Sequence, residues 1–267
     1  MEFKGSLGNY TILRTEDGSL TVHSGVYDEN CHSTSGAWQE TVHNYVQGCH
    51  VLEKLEVKPK VTIFEVGFGV GLGIYACLNQ IKAHFDNHEV IFKRLHFIST
   101  EIDRDFAIWA LTESDFAKEY TLTKSQLVET ESKIEVEIDG CLLTILIGDA
   151  RETITLISDD VLLDCIFQDP FSFRKNPTLW TLEWFRNLRS LSYEETIMST
   201  YSSSARVRKT MLSAGFKIIE REGFGRKRTC TQAVCYTPAN NKLNEQLERS
   251  KAKIILDEEV LNQHNQA

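Results

Sequence analysis

The segment from Val61 to Leu72, VTIFEVGFGVGL, constrains this chain more than any other. Six residues, mostly β-branched or aromatic, run into three glycines on alternate positions, and a helix-compatible apolar run from Leu72 to Ile81 follows at once. That is the pattern of strand, tight turn and helix. Glycine in such a turn supplies positive φ and removes the Cβ, so the backbone can approach a ligand while the helix offers its unpaired N–H groups. The turn is expected to seat a cofactor. The plainer alternative is a turn made only for close helix–strand packing.

Spacing narrows the cofactor. A dinucleotide fold asks for G-x-G-x-x-G, whereas Gly67, Gly69 and Gly71 are evenly spaced and Glu65 stands two residues before the first. The E-x-G-x-G-x-G arrangement resembles the first motif of class I methyltransferases. That resemblance implies S-adenosyl-L-methionine, whose amino group and sulfonium suit a carboxylate better than a pyrophosphate would. It also implies an α/β, Rossmann-like fold with a mostly parallel seven-stranded sheet.

At 267 residues the chain suits one α/β domain with additions. Boundaries are expected at 1–57 for an N-terminal hairpin and helix, 58–238 for the methyltransferase core and 239–267 for a polar tail. Without an apolar run of transmembrane length or a signal-like N-terminus, the chain reads as soluble and cytoplasmic. Seven scattered cysteines without a C-x-x-C pair fit neither a disulfide framework nor a zinc site, so no metal is expected. A net charge of −9 argues against indiscriminate nucleic-acid binding. Residues 206–228, however, carry +6 against −15 for the remainder, which allows one local basic face.

In chain order, Tyr10–Leu13 and Leu20–His23 flank an Asp17-Gly18 turn and read as a β-hairpin. A helix capped by Ser35 is expected from about Trp38 to Glu56, with Glu40 mostly solvated or helping to close the cofactor pocket. Residues 94–100 read as the second parallel strand, ending in Glu101-Ile-Asp103. Ligands lie beyond the carboxyl ends of such strands, so Glu101 is placed to accept both ribose hydroxyls, while Asp103 can cap the next helix. That helix is expected over 106–127. A hairpin follows around Asp139-Gly140, its second arm entering the sheet. Asp149, at the end of that arm, either accepts from an adenine amino group, as the resemblance implies, or simply caps a helix.

Leu163–Gln168 reads as a buried strand that runs into Asp169-Pro-Phe-Ser-Phe-Arg-Lys-Asn-Pro. An acid followed by proline at a strand end is held out of helical geometry and faces the methyl-donor site; an ordinary proline-stopped loop is the competing reading. The tail is expected to hold one short helix near residues 251–261.

These pieces together resemble the methyltransferase domain of MnmC and its stand-alone relatives. The matching text is FEVGFGVGL at 64–72, DCIFQDPFS at 164–172 with Lys175-Asn-Pro and Leu179-Trp-Thr, STYSSS at 199–204 with Val207-Arg-Lys, and GFGRKR at 223–228. The likeness spans roughly residues 24–237. Where the family more often reads Asp-Gly-Phe-Ala-Pro, this chain has Asp169-Pro-Phe-Ser-Phe; Val70 replaces a usual threonine, and Cys31 a tyrosine.

The resemblance implies N-methylation of the 5-aminomethyl group of wobble (2-thio)uridine in tRNA, giving the 5-methylaminomethyl product. Asp169 would be the catalytic residue, and Glu65, Gly67, Gly69, Gly71, Glu101, Asp149 and Glu40 would hold the cofactor. Arg174, Lys175, Asn176, Arg206, Arg208, Arg226, Lys227 and Arg228 would face the anticodon region. The flavin-dependent oxidase half of bifunctional MnmC is not expected, nor FAD, so a separate FAD-dependent oxidase would supply the substrate. Competing functions on the same fold are a methyltransferase or aminopropyltransferase for a small amine and a non-catalytic RNA-binding protein.

Overall fold

The computed structural model describes residues 2–158, 160–225 and 227–264. An N-terminal antiparallel sheet holds β1 (Glu2–Lys4), β2 (Asn9–Arg14), β3 (Leu20–Ser24) and β4 (Glu29–Asn30) in sequence order. The expected hairpin is its centre, with Gly18 at φ 81° in the turn. Tyr10, Leu20 and Val22 bury one face against Val70, Leu72 and Phe106.

The single helix expected over 38–56 is broken. α1 (Ala37–Thr41) continues as a π-helical turn, Val42–Val46, and α2 (Val51–Val57) starts after His50, which has φ 55°. The Gln47 N–H reaches back five residues to the Val42 carbonyl (2.9 Å), and the Ser199 hydroxyl takes the Asn44 carbonyl. A tertiary donor thus breaks the ladder that local periodicity would continue. Gly36, not Ser35, stands at the N-cap, without a side-chain cap.

The main sheet comprises β5 (Val61–Val66), β6 (Leu95–Glu101), β7 (Val128–Glu129), β8 (Lys133–Ile138), β9 (Cys141–Ile147), β10 (Leu163–Gln168), β11 (Ser192–Thr200), β12 (Lys217–Glu222) and β13 (Thr229–Val234). Its order is β12-β13-β11-β10-β5-β6-β9-β8-β7, and the central run β11-β10-β5-β6-β9 is parallel throughout. The sheet therefore has nine strands instead of seven, because the hairpin arm β8 and the short β7 extend it beyond β9. Asp139 and Gly140, both at positive φ, form the turn between β8 and β9.

All six residues of β5 and of β10 are buried, as expected for strands covered on both faces. Alternation sorts their side chains. Ile63, Phe97 and Phe167 pack with the helices α2 and α3 (Leu72–His84) and their neighbours, whereas Phe64, Ile98, Ile166 and Met198 face the opposite layer. Helix α4 (His88–Phe92) precedes β6. The helix expected over 106–127 is instead α5 (Arg104–Glu113) and α6 (Asp115–Glu119), because Ser114 ends one and caps the other through the Ala117 N–H (3.2 Å).

The opposite layer contains α7 (Ala150–Thr153), α8 (Leu182–Ser190) and α9 (Ala205–Ser213). The tail adds two helices, α10 (Lys242–Arg249) and α11 (Asp257–His264); the helix expected near 251–261 is met by α11 in its second half, while residues 251–256 are not helical. Leu247, Ile255 and Val260 are buried in the core of this layer, so the tail is an integral part of the packing. Among the described residues no helix is long and apolar enough to cross a membrane.

Candidate active site and cofactor seat

The carboxyl ends of β5, β6, β9 and β10 meet at one cavity, lined by Gly67, Gly69, Thr100, Glu101, Ile102, Gly148, Asp149 and Asp169. The N-terminal sheet and the loop after it close the other side with Tyr10, Tyr27, Cys31 and His32. Gly67 (φ 94°) and Gly69 (φ 57°) form the floor. A Cβ on Gly69 would meet nothing within 4 Å and one on Gly67 only the Asp169 carbonyl at 3.5 Å, so both point into open space that a ligand can fill.

Glu101 ends β6 with a buried carboxylate that accepts the Gly69 N–H (3.2 Å) and the Asp103 N–H (3.1 Å). Burial pushes its pKa up to about 7; the backbone donors pull the other way, and Asp103 adds to the rise. Lone pairs remain on both oxygens for hydroxyl donors. Asp103 serves another purpose. It caps α5 through the Phe106 N–H (3.1 Å) and accepts from the Ser6 and Leu7 N–H groups and the Tyr10 hydroxyl, which fastens the N-terminal sheet to the core.

Asp149 caps α7 through the Arg151 N–H (2.9 Å) and pairs with the Arg151 guanidinium (2.6 Å). Burial works against its charge, but Arg151 outweighs this and holds the carboxyl below its ordinary value. It faces the cavity as well, so both readings of this residue coexist in one geometry.

Three of the expected cofactor residues, Glu65, Gly71 and Glu40, lie outside the cavity lining. Glu65 is 4% exposed, turned beneath the first turn of α3, and accepts from the Ser99 hydroxyl (2.7 Å). Gly71 starts α3 at φ 76°, and a Cβ there would press on the Phe116 and Phe68 rings at 3.0 and 3.1 Å. Glu65 and Gly71 shape the seat from below.

Asp169, with Cys31, His32, Pro170 and Phe171, lines both this cavity and a second chamber whose other walls include Glu40, Thr41, Tyr45, Tyr201 and Lys227. The Tyr45 hydroxyl donates to Asp169 Oδ1. Loss of hydration raises the Asp169 pKa to about 8; the Tyr45 hydrogen bond and Lys227 oppose the rise, and Glu40 adds to it. A carboxyl so placed can exchange a proton near neutrality with a group in either cavity. Glu40 is buried, accepts the Ser33 N–H (3.2 Å) and pairs with Lys227 Nζ (2.9 Å). It lines the second chamber and not the first cavity.

The proline after Asp169 and the loop beyond it are tied down. The Trp180 indole N–H donates to the Phe171 carbonyl (3.0 Å), Ser172 N–H to Glu29 (2.9 Å), and Phe171 stacks on Tyr27 with centroids 4.4 Å apart. Asn176 lines the cofactor cavity, Lys175 pairs with Asp28 (3.0 Å), and Arg174 is exposed.

The basic stretch does not form one face. Arg208 is buried and committed to Glu220 (2.6 Å), Thr231 and the Cys230 carbonyl, so it cannot reach a phosphate. Arg206 binds the Lys253 carbonyl (3.3 Å) and Glu259, and Lys209 the Ser250 carbonyl (2.6 Å), fastening the tail to α9. Lys227 and Arg228 are exposed on the turn after β12, while Arg226 lies outside the described residues. Sequence reasoning missed Tyr27, Cys31, His32, Tyr45 and Tyr201 as wall residues. The Ser-Thr-Tyr-Ser run at the end of β11 and Cys31 in place of a tyrosine were the local hints.

The strand order, the glycine floor and the acidic strand ends are those of the class I S-adenosyl-L-methionine-dependent methyltransferase fold, and a family model described as an S-adenosyl-L-methionine-dependent methyltransferase matches residues 112–236. Within that class, the chain is similar to MnmC. The bifunctional tRNA 5-methylaminomethyl-2-thiouridine biosynthesis protein MnmC of Paraburkholderia phymatum is 30% identical over 218 residues, which cover 78% of this chain and 32% of that protein. The chain thus spans about a third of the length of that relative. A crystal structure of MNMC2 from Aquifex aeolicus superimposes with a TM-score of 0.72 at 27% identity, covering 95% of this chain and 80% of the other. The uncharacterized protein MJ0670 of Methanocaldococcus jannaschii is 28% identical over 251 residues, covering 92% of this chain and 66% of that protein.

Proposed function

We propose that this chain methylates the primary amine of 5-aminomethyl-(2-thio)uridine at the wobble position of tRNA. The observation that carries the reading is Asp169, poised between a cofactor cavity and an aromatic, acid-lined chamber. The MnmC likeness supplies the substrate.

S-adenosyl-L-methionine supplies an electrophilic methyl group on sulfonium. Glu101 is read as the acceptor for its ribose hydroxyls and Asp149 as a contact for its adenine, with Gly67 and Gly69 admitting it close to the backbone. An ammonium has no lone pair, so the acceptor amine must be neutral to attack. Asp169 accepts a hydrogen bond or the departing proton and aims the nitrogen along the line of attack. The exposed cations Lys175 and Arg174, with Arg228, are the remaining candidates for phosphate contacts. A separate flavin-dependent oxidase is proposed as the source of the aminomethyl group.

The direct test is transfer of labelled methyl to total tRNA lacking the wobble methyl group, with nucleoside analysis. Label is expected in 5-methylaminomethyl-2-thiouridine. Cofactor binding without label on tRNA would overturn the tRNA assignment in favour of a small amine acceptor or a non-catalytic role.

The ribose assignment has its own signature. Glu101 must be ionised to accept from two hydroxyls, so cofactor affinity should rise with pH up to about 7 and then level. Glu101→Gln should weaken binding by roughly 10–100-fold, the worth of one or two hydrogen bonds to a charged group, and abolish that pH dependence. Calorimetric titration between pH 5.5 and 8.5 reads both effects, and an unchanged profile in the variant would remove Glu101 from the ribose site.

A further inference from the structure

The second chamber already contains a primary ammonium. Lys227 reaches in from the turn after β12, places Nζ 2.9 Å from Glu40 Oε1 and lies 4.5 Å from the centroid of the Tyr201 ring. Carboxylate on one side and aromatic face on the other is how proteins hold an alkylammonium group. In the same chamber Thr41, 2% exposed, has a hydroxyl oxygen with no hydrogen-bond partner among the described residues. A buried hydroxyl left without a partner is costly unless a ligand completes it. The Lys227 side chain is 44% exposed, so its long stem can withdraw to solvent without disturbing buried packing.

We propose that Glu40, Thr41 and the Tyr201 ring form a seat for the primary ammonium of the acceptor, and that Lys227 fills this seat until the acceptor displaces it. The inference rests on the reading of an amine acceptor given above and adds how the amine is recognised before it loses its proton. Asp169 lines the same chamber, so an ammonium seated against Glu40 is next to the group that takes the proton. The arrangement favours a primary amine on a methylene attached to a flat ring, whose face packs against Tyr45 and Phe171. It disfavours neutral hydroxymethyl analogues, which give Glu40 and Tyr201 no charge to hold.

Benzylammonium is the probe, titrated calorimetrically into the full chain at constant ionic strength. If Lys227 occupies the seat nine-tenths of the time, Lys227→Met should bind the probe about tenfold more tightly than the unmodified protein. Lys227→Arg should keep the seat filled and the binding weak. Adding Glu40→Gln to Lys227→Met should cancel the gain, and benzyl alcohol should show no gain in any variant. Equal or weaker binding by Lys227→Met overturns the placeholder role, and a gain that survives Glu40→Gln overturns the seat. The readout needs no methyl transfer, so it separates from the tRNA assignment: a gain without label on tRNA keeps the ammonium seat and rejects the tRNA acceptor. Label on tRNA with no gain does the reverse. A Lys227 that contacted phosphate instead would raise KM for tRNA on substitution and leave benzylammonium binding unchanged.

Discussion

Asp169→Ala is expected to lower kcat/KM for methyl transfer by about 10²–10⁴-fold, the usual worth of a positioned proton acceptor, while the Kd for S-adenosyl-L-methionine stays nearly unchanged. The carboxyl touches Tyr45 and faces the second chamber, the proposed acceptor site, whereas the proposed cofactor contacts rest on other groups. The pH profile sharpens the test. Asp169 must be ionised to accept a proton, so kcat/KM should rise with pH through about 8, its value at this recessed position. The Tyr45 hydrogen bond favours the ionised form and therefore lowers that value. Tyr45→Phe should move the ascending limb to higher pH by about one to two units, from the 1.5–3 kcal/mol of a hydrogen bond to a charged group. A limb that moves down, or a parallel loss of cofactor affinity and turnover in Asp169→Ala, would refute this role.

Gly73→Ala is expected to be strongly destabilising although it adds a single methyl group. A Cβ there would lie 1.8 Å from Glu65 Oε1 and 2.9 Å from its Cδ. Neither side can give way, since Gly73 is in the first turn of α3 and the Glu65 carboxylate is buried and held by Ser99. Overpacking of this kind costs about 3 kcal/mol, which corresponds to roughly 6–12 °C in Tm for a chain of this size. Gly69→Ala is the control: its Cβ meets open space, so thermal stability should change little beyond the strain of positive φ, while cofactor affinity falls. Thermal unfolding without cofactor reads the difference. Combining Gly73→Ala with Glu65→Ala should recover part of the loss, and a Gly73→Ala protein as stable as its parent would show that Glu65 is not wedged beneath the helix.

Much of the fold was legible because it is written in local periodicity. The buried runs at 61–66 and 163–168, the glycine turn and the Asp139-Gly140 hairpin each need only near neighbours to declare themselves. The breaks were not legible. The helix expected over 38–56 is interrupted because Ser199, some 150 residues away in the chain, takes the Asn44 carbonyl. The single helix expected in the tail is two, and Leu247, Ile255 and Val260 are buried because they pack against core residues far back in the chain.

The site divides in the same way. Residue types at the ends of predicted strands were enough to place Glu101, Asp149 and Asp169 at one edge of the sheet, since a parallel sheet puts every such end on the same side. Sequence could not tell that Glu65 turns inward beneath α3, that Arg208 is buried, or that Glu40 lines the second chamber and not the first cavity. Those outcomes depend on which side chains meet across the sheet, and on how much water each carboxylate keeps. By itself the sequence determined the sheet, the glycine seat and the acids at its rim. Only the tertiary structure decided that Tyr45 touches Asp169 and Lys227 touches Glu40, because both contacts join segments with no local pattern in common and arise only once the chain is packed.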